Sequence, residues 1–251
     1  MKIVACYNIK GGVGKTSTVV NLAYLAARDG ARVLVCDLDP QGAASFYFRI
    51  KPKIKGGVSR ILNKKADLDD YIKGTDFANL DLLPADFSFR HLDILLDESS
   101  NPQLKLAKML KPLKRDYDVI FLDCAPSISK VSESVFNAAD ILLIPTIPTI
   151  LSLRTLKKII QYQKKNAIKN LLLMPFFSMA DRRKKMHSQI IQHPPEFGVS
   201  ILESTIPYAS EVERMGLERK PLHSYAASSA AADAYKKLWN EIDLFSPDNK
   251  A

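Results

Sequence analysis

Seven residues, Lys10-Gly11-Gly12-Val13-Gly14-Lys15-Thr16, constrain this chain more than any other stretch. They follow an apolar run, Ile3 to Tyr7, that reads as a buried strand. They precede a helical pattern that runs to about Arg28 and stops at Asp29-Gly30. Glycines in a strand-to-helix turn let successive backbone N–H groups point inward, and the new helix adds the positive end of its dipole. Such a turn is a cradle for phosphate oxygens. Gly11, Gly12, Val13, Gly14, Lys15, Thr16 and Ser17 are therefore the candidate phosphate-binding segment. Lys15 is expected to reach the β- and γ-phosphates and Thr16 to offer its hydroxyl to Mg²⁺.

The same rhythm continues along the chain. Apolar runs at Val33 to Cys36, Leu80 to Leu83, Val119 to Leu122, Ile141 to Ile144 and Leu171 to Phe177 read as buried parallel strands separated by helical stretches. In the first helix, Asn21, Leu22, Leu25 and Ala26 are the small and apolar side chains of a helix packed on a sheet, and Lys51 to Gly57 reads as a loop. The expected fold is one doubly wound α/β domain over residues 1–251, a mostly parallel sheet with helices on both faces, of the P-loop NTPase type. Ligands of such sheets sit outside the carboxyl ends of the strands. Two strand ends there are acidic: Asp37-Leu38-Asp39-Pro40-Gln41-Gly42 and Asp123-Cys124-Ala125-Pro126. Asp123 is the candidate Mg²⁺ residue and Asp39 the candidate orienter of the attacking water.

Composition narrows the partners. The chain carries 36 basic and 27 acidic residues, net +9. Ten of the basic residues and a single acid, Asp181, lie between Arg154 and Ile191, so the remainder is balanced and the excess sits in one segment. A polyanion partner follows from that asymmetry. No run approaches the roughly 18 to 20 apolar residues of a membrane span, and the N-terminus has no signal-peptide core, so a cytoplasmic protein is expected. Cys6, Cys36 and Cys124 lie in or beside apolar runs and read as reduced buried thiols.

The motifs quoted above, with Tyr7-Asn8-Ile9 before the loop and Ala139-Asp140 and Ile206-Pro207 after it, resemble the ParA/MinD-type deviant Walker ATPases over nearly the whole chain. The resemblance implies ATP and Mg²⁺ as cofactors and weak ATP hydrolysis. It also implies an ATP-dependent homodimer in which Lys10 reaches the partner's phosphates, catalytic roles for Lys10, Lys15 and Asp39, and base contacts near Asp181 and Pro207. It further implies nonspecific double-stranded DNA as a track, an adaptor protein that stimulates hydrolysis, and a positioned cargo, with nucleoid association in the ATP state. A phosphate loop near residue 10 matches the short form of the family, without a DNA-reading domain ahead of it.

Several positions depart from that pattern. Ala43-Ala44-Ser45 and Ala125 stand where chromosome-partition members commonly carry Asn-Thr and a proline. Tyr208 and Ala226 to Ser229 replace the arginine-bearing stretches linked to nonspecific DNA binding. The expected DNA contacts are instead Arg182, Arg183, Lys184 and Lys185, following a turn at Ser178 to Asp181, with Lys157 and Lys158 in support. Lys164, Lys165 and Lys169 extend the same positive segment. A membrane-surface role like that of MinD is the alternative. Against it, Ala231 to Phe245 reads as a docked core helix ended by Ser246-Pro247-Asp248, with two lysines and three acids. The iron–sulfur reductases that share this phosphate loop need cluster cysteines at a dimer interface, and these three are not so placed.

Overall fold

The computed structural model describes residues 1–62, 68–97, 101–168 and 170–243, so Lys169, Phe245 and Ser246-Pro247-Asp248 lie outside the described residues. Among these residues eight strands form one sheet: β1 (Lys2–Cys6), β2 (Val33–Asp37), β3 (Lys73–Gly74), β4 (Leu80–Leu83), β5 (Val119–Asp123), β6 (Ile141–Thr146), β7 (Leu172–Ala180) and β8 (Thr205–Pro207). Their order is β3-β4-β2-β5-β1-β6-β7-β8, parallel throughout except at the edge strand β3. The helices are α1 (Lys15–Arg28), α2 (Ala43–Tyr47), α3 (Val58–Leu62), α4 (Leu92–Asp97), α5 (Pro102–Leu110), α6 (Lys130–Ala138), α7 (Ile150–Lys165), α8 (Lys185–Gln192), α9 (Ser210–Glu218) and α10 (Ala230–Asp243).

Two-residue periodicity sorts the central strands between two apolar layers. In β1, Ile3 and Ala5 join the core that holds α4 to α7, whereas Val4 and Cys6 join the core that holds α1, α9 and α10. Parallel strands covered on both faces are apolar on both, which is why these runs read as continuous hydrophobic segments. In α10, Ala231, Tyr235, Leu238 and Ile242 are buried, so the expected docked face is the observed one. The three cysteines are free and buried.

The six expected strands coincide with observed ones to within three residues at either end, and α1 ends at Arg28 as read. One local expectation is corrected. Ser178 to Ala180 do not form a turn; they complete β7, whose backbone is paired by β8, with Phe177 opposite Thr205 and Ala180 opposite Pro207. The register is irregular between these pairs, and Met179 takes a left-handed φ of 54°. A short polar run looked like a turn because this bulge, not a reversal of the chain, absorbs it. Beneath the acidic loop after β2, a small apolar cavity is lined by Leu38, Val58, Leu83, Phe89, Leu92 and Val131.

Candidate nucleotide site

The loop between β1 and α1 lies between its two neighbours in the sheet, β5 and β6, at their carboxyl ends. This is the point where the order of strands changes direction along the chain. Gly14 occupies the N-cap position of α1 with φ 90°, and no side chain caps the helix. The first-turn N–H groups of α1 therefore have no capping side chain, an arrangement suited to an anion. A Cβ on Gly14 would lie 2.9 Å from Ser178 Oγ, so only glycine fits beside β7 here. At Gly12, φ 65°, a Cβ would meet nothing within 4 Å and would project into the open space above the loop.

Side chains hold this loop from below. Asn8 is fully buried; its Nδ2 donates to Pro145 O at 2.9 Å, and its Oδ1 accepts from Lys10 N at 2.9 Å. Asn8 thus ties the phosphate loop to β6. The Lys15 ammonium is folded back onto the Lys10 carbonyl at 3.3 Å and is nearly buried. Lys10 itself is exposed, as are Gly11 and Gly12. Ser17 Oγ and Thr18 Oγ1 both donate to Gly14 O, at 3.1 and 2.7 Å.

Two acids stand beside the loop. Asp37 is buried, and its Oδ2 accepts from both Ser45 N and Ser45 Oγ at 2.8 Å, while its Oδ1 accepts from Asp39 N at 3.3 Å. Ser45 Oγ also accepts from Ala85 N at 2.9 Å, which links the acidic loop to the end of β4. Burial pushes the Asp37 carboxyl up to about 6, although these donors favour its charged form. Asp123 is fully buried, and neither of its oxygens has a hydrogen-bond partner. Burial and then the charge of Asp37 raise its affinity for a proton, and the Thr16 hydroxyl and Lys15 nearby do not offset them. A buried carboxylate without a partner is costly unless a cation completes it. Asp123 beside Thr16 is an oxygen-donor pair that fits Mg²⁺. Asp39 is half-buried at the rim, with Oδ1 accepting from Gln41 N at 2.9 Å.

A cleft leads from the loop along the β7–β8 edge, lined by Gly12, Gly14, Ser17, Tyr47, Met179 and Pro207, with Tyr208 and Glu213 beyond. Pro207, expected near the base, is one of the residues lining this cleft. Asp181 is not among the cleft-lining residues. Its Oδ1 accepts from Arg183 N and Nε at 3.1 and 2.9 Å, its Oδ2 accepts from Arg183 Nη2 at 3.0 Å, and this partner holds its carboxyl at about 2.

The basic cluster follows the end of β7. Arg182, Arg183, Lys184 and Lys185 are all exposed; Arg183 is committed to Asp181, and among the described residues the other three make no ion pair. Lys157 and Lys158 are exposed on α7. Lys164 and Lys165 stand at the far end of that helix, roughly 20 Å from its start. The positive run of sequence is thus divided between the two ends of the sheet. Sequence reasoning missed Asp37, Asn8, Ser45, Tyr47 and Met179. Of these, Asp37 carried a signal, since it stands at a strand end like Asp123.

Comparison with known proteins agrees with this geometry. Residues 1–173 match the family model AAA_31, described as an AAA domain. The sporulation initiation inhibitor protein Soj of Bacillus subtilis is 32% identical over 247 residues, covering 96% of this chain and 98% of Soj. Among solved structures, Cyanothece McdA in complex with ATP superimposes with a TM-score of 0.83 at 20% identity, covering 97% of this chain and 96% of that one. The septum site-determining protein MinD of Pyrococcus horikoshii, complexed with Mg-ADP, gives 0.77 at 24% identity, covering 98% of each chain. With its phosphate loop, its acidic strand ends and its full-length kinship to Soj, this chain belongs to the ParA/MinD family of P-loop ATPases.

Proposed function

We propose that the protein is a nucleotide-switched positioning ATPase. It binds ATP with Mg²⁺, dimerises in that state, adheres to double-stranded DNA without reading sequence, and releases when an adaptor stimulates slow hydrolysis. The observation that carries this reading is the pairing of an uncapped helix N-terminus at Gly14 with the unpartnered buried carboxylate of Asp123. The first suits phosphate and the second suits the cation that accompanies it.

Gly11 to Thr16 cradle the phosphates, Lys15 leaves the Lys10 carbonyl to meet them, and Thr16 and Asp123 hold the metal, which supplies charge neutralisation when bound. Asp39 orients the attacking water from the rim. Lys10 is exposed on the face where a second copy would sit, and it contributes positive charge to the partner's phosphates as negative charge develops there. Pro207 and the cleft beside it take the base, and Asp181 follows Ala180, the register partner of Pro207. Arg182, Lys184 and Lys185, oriented by the Asp181–Arg183 pair, contact DNA phosphates with Lys157 and Lys158 in support. Two copies double those contacts, which makes adhesion depend on the ATP dimer.

The burial of the apolar face of α10 favours DNA over a bilayer as the track, because among the described residues that helix has no such face left to insert. Among those residues no helix is long and apolar enough to cross a membrane. The test is co-sedimentation with nonspecific duplex DNA and, in parallel, with anionic liposomes, in ATP and in ADP. DNA binding in ATP alone, lost when Arg182 to Lys185 become Ala while dimerisation persists, is the expected result. Binding of liposomes instead of DNA would overturn it.

A further inference from the structure

The outer face of α5 carries one sign of charge, and no described carboxylate pairs with it. The helix runs on into a 3-10 turn, Lys111–Arg115, and together they bury Leu106, Leu110 and Leu113 against the core. Ser134 Oγ on α6 accepts from Leu106 N at 3.1 Å and fixes the rod in place. Leu104, Lys108, Lys111 and Lys114 follow one another at steps of four, three and three residues. An α-helix passing into three-residue turns sets such positions along one side. Lys108, Lys111 and Lys114 are exposed, and Leu104 is 44% exposed. Lys105 and Arg115 flank the stripe, and no carboxylate occurs between positions 102 and 115. Among the described residues, none of these five basic groups makes an ion pair. The stripe leads to the start of β5, whereas Arg182 to Lys185 follow the end of β7, at the opposite end of the strands and three places along the sheet.

We propose that this stripe docks an acidic segment of a partner protein, a helix that sets carboxylates against Lys108, Lys111 and Lys114 and an apolar side chain against Leu104. Aligned like charges on a rigid rod favour a complementary partner and steer its approach. The acids beyond the end of the stripe select the class of partner. Asp116 stands directly beyond Arg115; Asp118 follows, held by Arg32 at 2.9 Å, and Asp81 accepts from Tyr117 Oη at 2.8 Å. A duplex that ran on past Arg115 would set its phosphates against these carboxylates. A single peptide helix would not. From Leu104 to Lys114 the stripe is about 15 to 20 Å long, three turns of such a helix. An exposed leucine at its head suits a protein side chain, not a phosphate backbone. The proposal is independent of what Arg182 to Lys185 bind.

The test uses the full chain and fluorescence anisotropy with a labelled helical peptide carrying one Leu and three Glu along one face, and with its Glu-to-Gln counterpart. The Glu peptide should bind at least about tenfold more tightly than the Gln peptide, and Lys108→Glu/Lys111→Glu/Lys114→Glu should remove that difference. A peptide with Lys in place of Glu should recover binding to the charge-reversed protein, an exchange that a folding defect would not produce. Replacing Arg182 to Lys185 by Ala should leave peptide affinity unchanged. Unchanged peptide binding by the charge-reversed protein, or its loss in the Arg182 to Lys185 variant, would overturn the proposal. So would loss of duplex DNA or anionic vesicle binding on charge reversal, since the stripe would then be a nucleic-acid or lipid face.

Discussion

Asp37 and Asp123 are register partners on the adjacent strands β2 and β5, and both side chains are buried. Asp37 is satisfied by Ser45 and Asp39, whereas among the described residues neither oxygen of Asp123 is hydrogen-bonded, although the Thr16 hydroxyl and Lys15 lie nearby. Both carboxyls are raised in the folded protein, Asp37 to about 6 from 3.8. Between those values the native state holds a proton that the unfolded chain has released, so stability is lost as pH rises through the window. Asp123→Asn removes part of that dependence. Without nucleotide, Asp123→Asn should be more stable than the parent at neutral pH, and its melting temperature should vary less with pH. The same variant should lose stabilisation by Mg-ATP. Thermal melts across pH, with and without Mg-ATP, read both effects.

Lys15 and Asp39 separate binding from chemistry. Lys15→Ala removes the only buried cation of the loop and should abolish ATP binding by calorimetry. Asp39→Ala leaves the cradle intact, so it should bind ATP as the parent does and hydrolyse it at least about tenfold more slowly. Parental turnover in Asp39→Ala would remove that residue from the mechanism.

Asn8→Ala deletes two hydrogen bonds from a fully buried site and leaves Pro145 O without its donor. The expected cost is about 1 to 3 kcal/mol of stability. Because the loop is then no longer tied to β6, ATP affinity should fall while Mg²⁺ dependence persists. Denaturant melts and ATP titration on the same preparation compare the two losses.

Lys10 makes its contribution across the dimer if the second copy faces the loop. In ATP, light scattering of Asp39→Ala should give twice the monomer mass, and in ADP the monomer mass. Lys10→Ala should reduce turnover without preventing ATP binding. A persistent monomer in ATP at high concentration would count against the two-fold arrangement.

The central sheet was legible because strands covered on both faces are apolar at every position, and because a glycine loop between strand and helix has few other uses. What escaped was set by pairing over long sequence separations. β8 has three residues and is a strand only because β7 lies beside it. Asp37 looked like the start of a loop, and only its register with Asp123 makes it half of a buried acidic pair. Asn8 stands in the recognised motif, yet its partner Pro145 is 137 residues away. The division of the positive segment between the two ends of the sheet is likewise invisible in composition, since charge counts carry no direction.

Leu38 stands between Asp37 and Asp39, and its side chain enters the apolar cavity shared with Val58, Leu83, Phe89, Leu92 and Val131. The two carboxylates that flank it are thus seated on apolar contacts from β4, α3, α4 and α6, none of which carries the glycine loop. A methyl group gained or lost at any of those contacts shifts the seating of Asp39 without altering a single charged atom. On the role proposed for Asp39, the lifetime of the ATP state would then be set in part from behind, by the oily interior and not by charge.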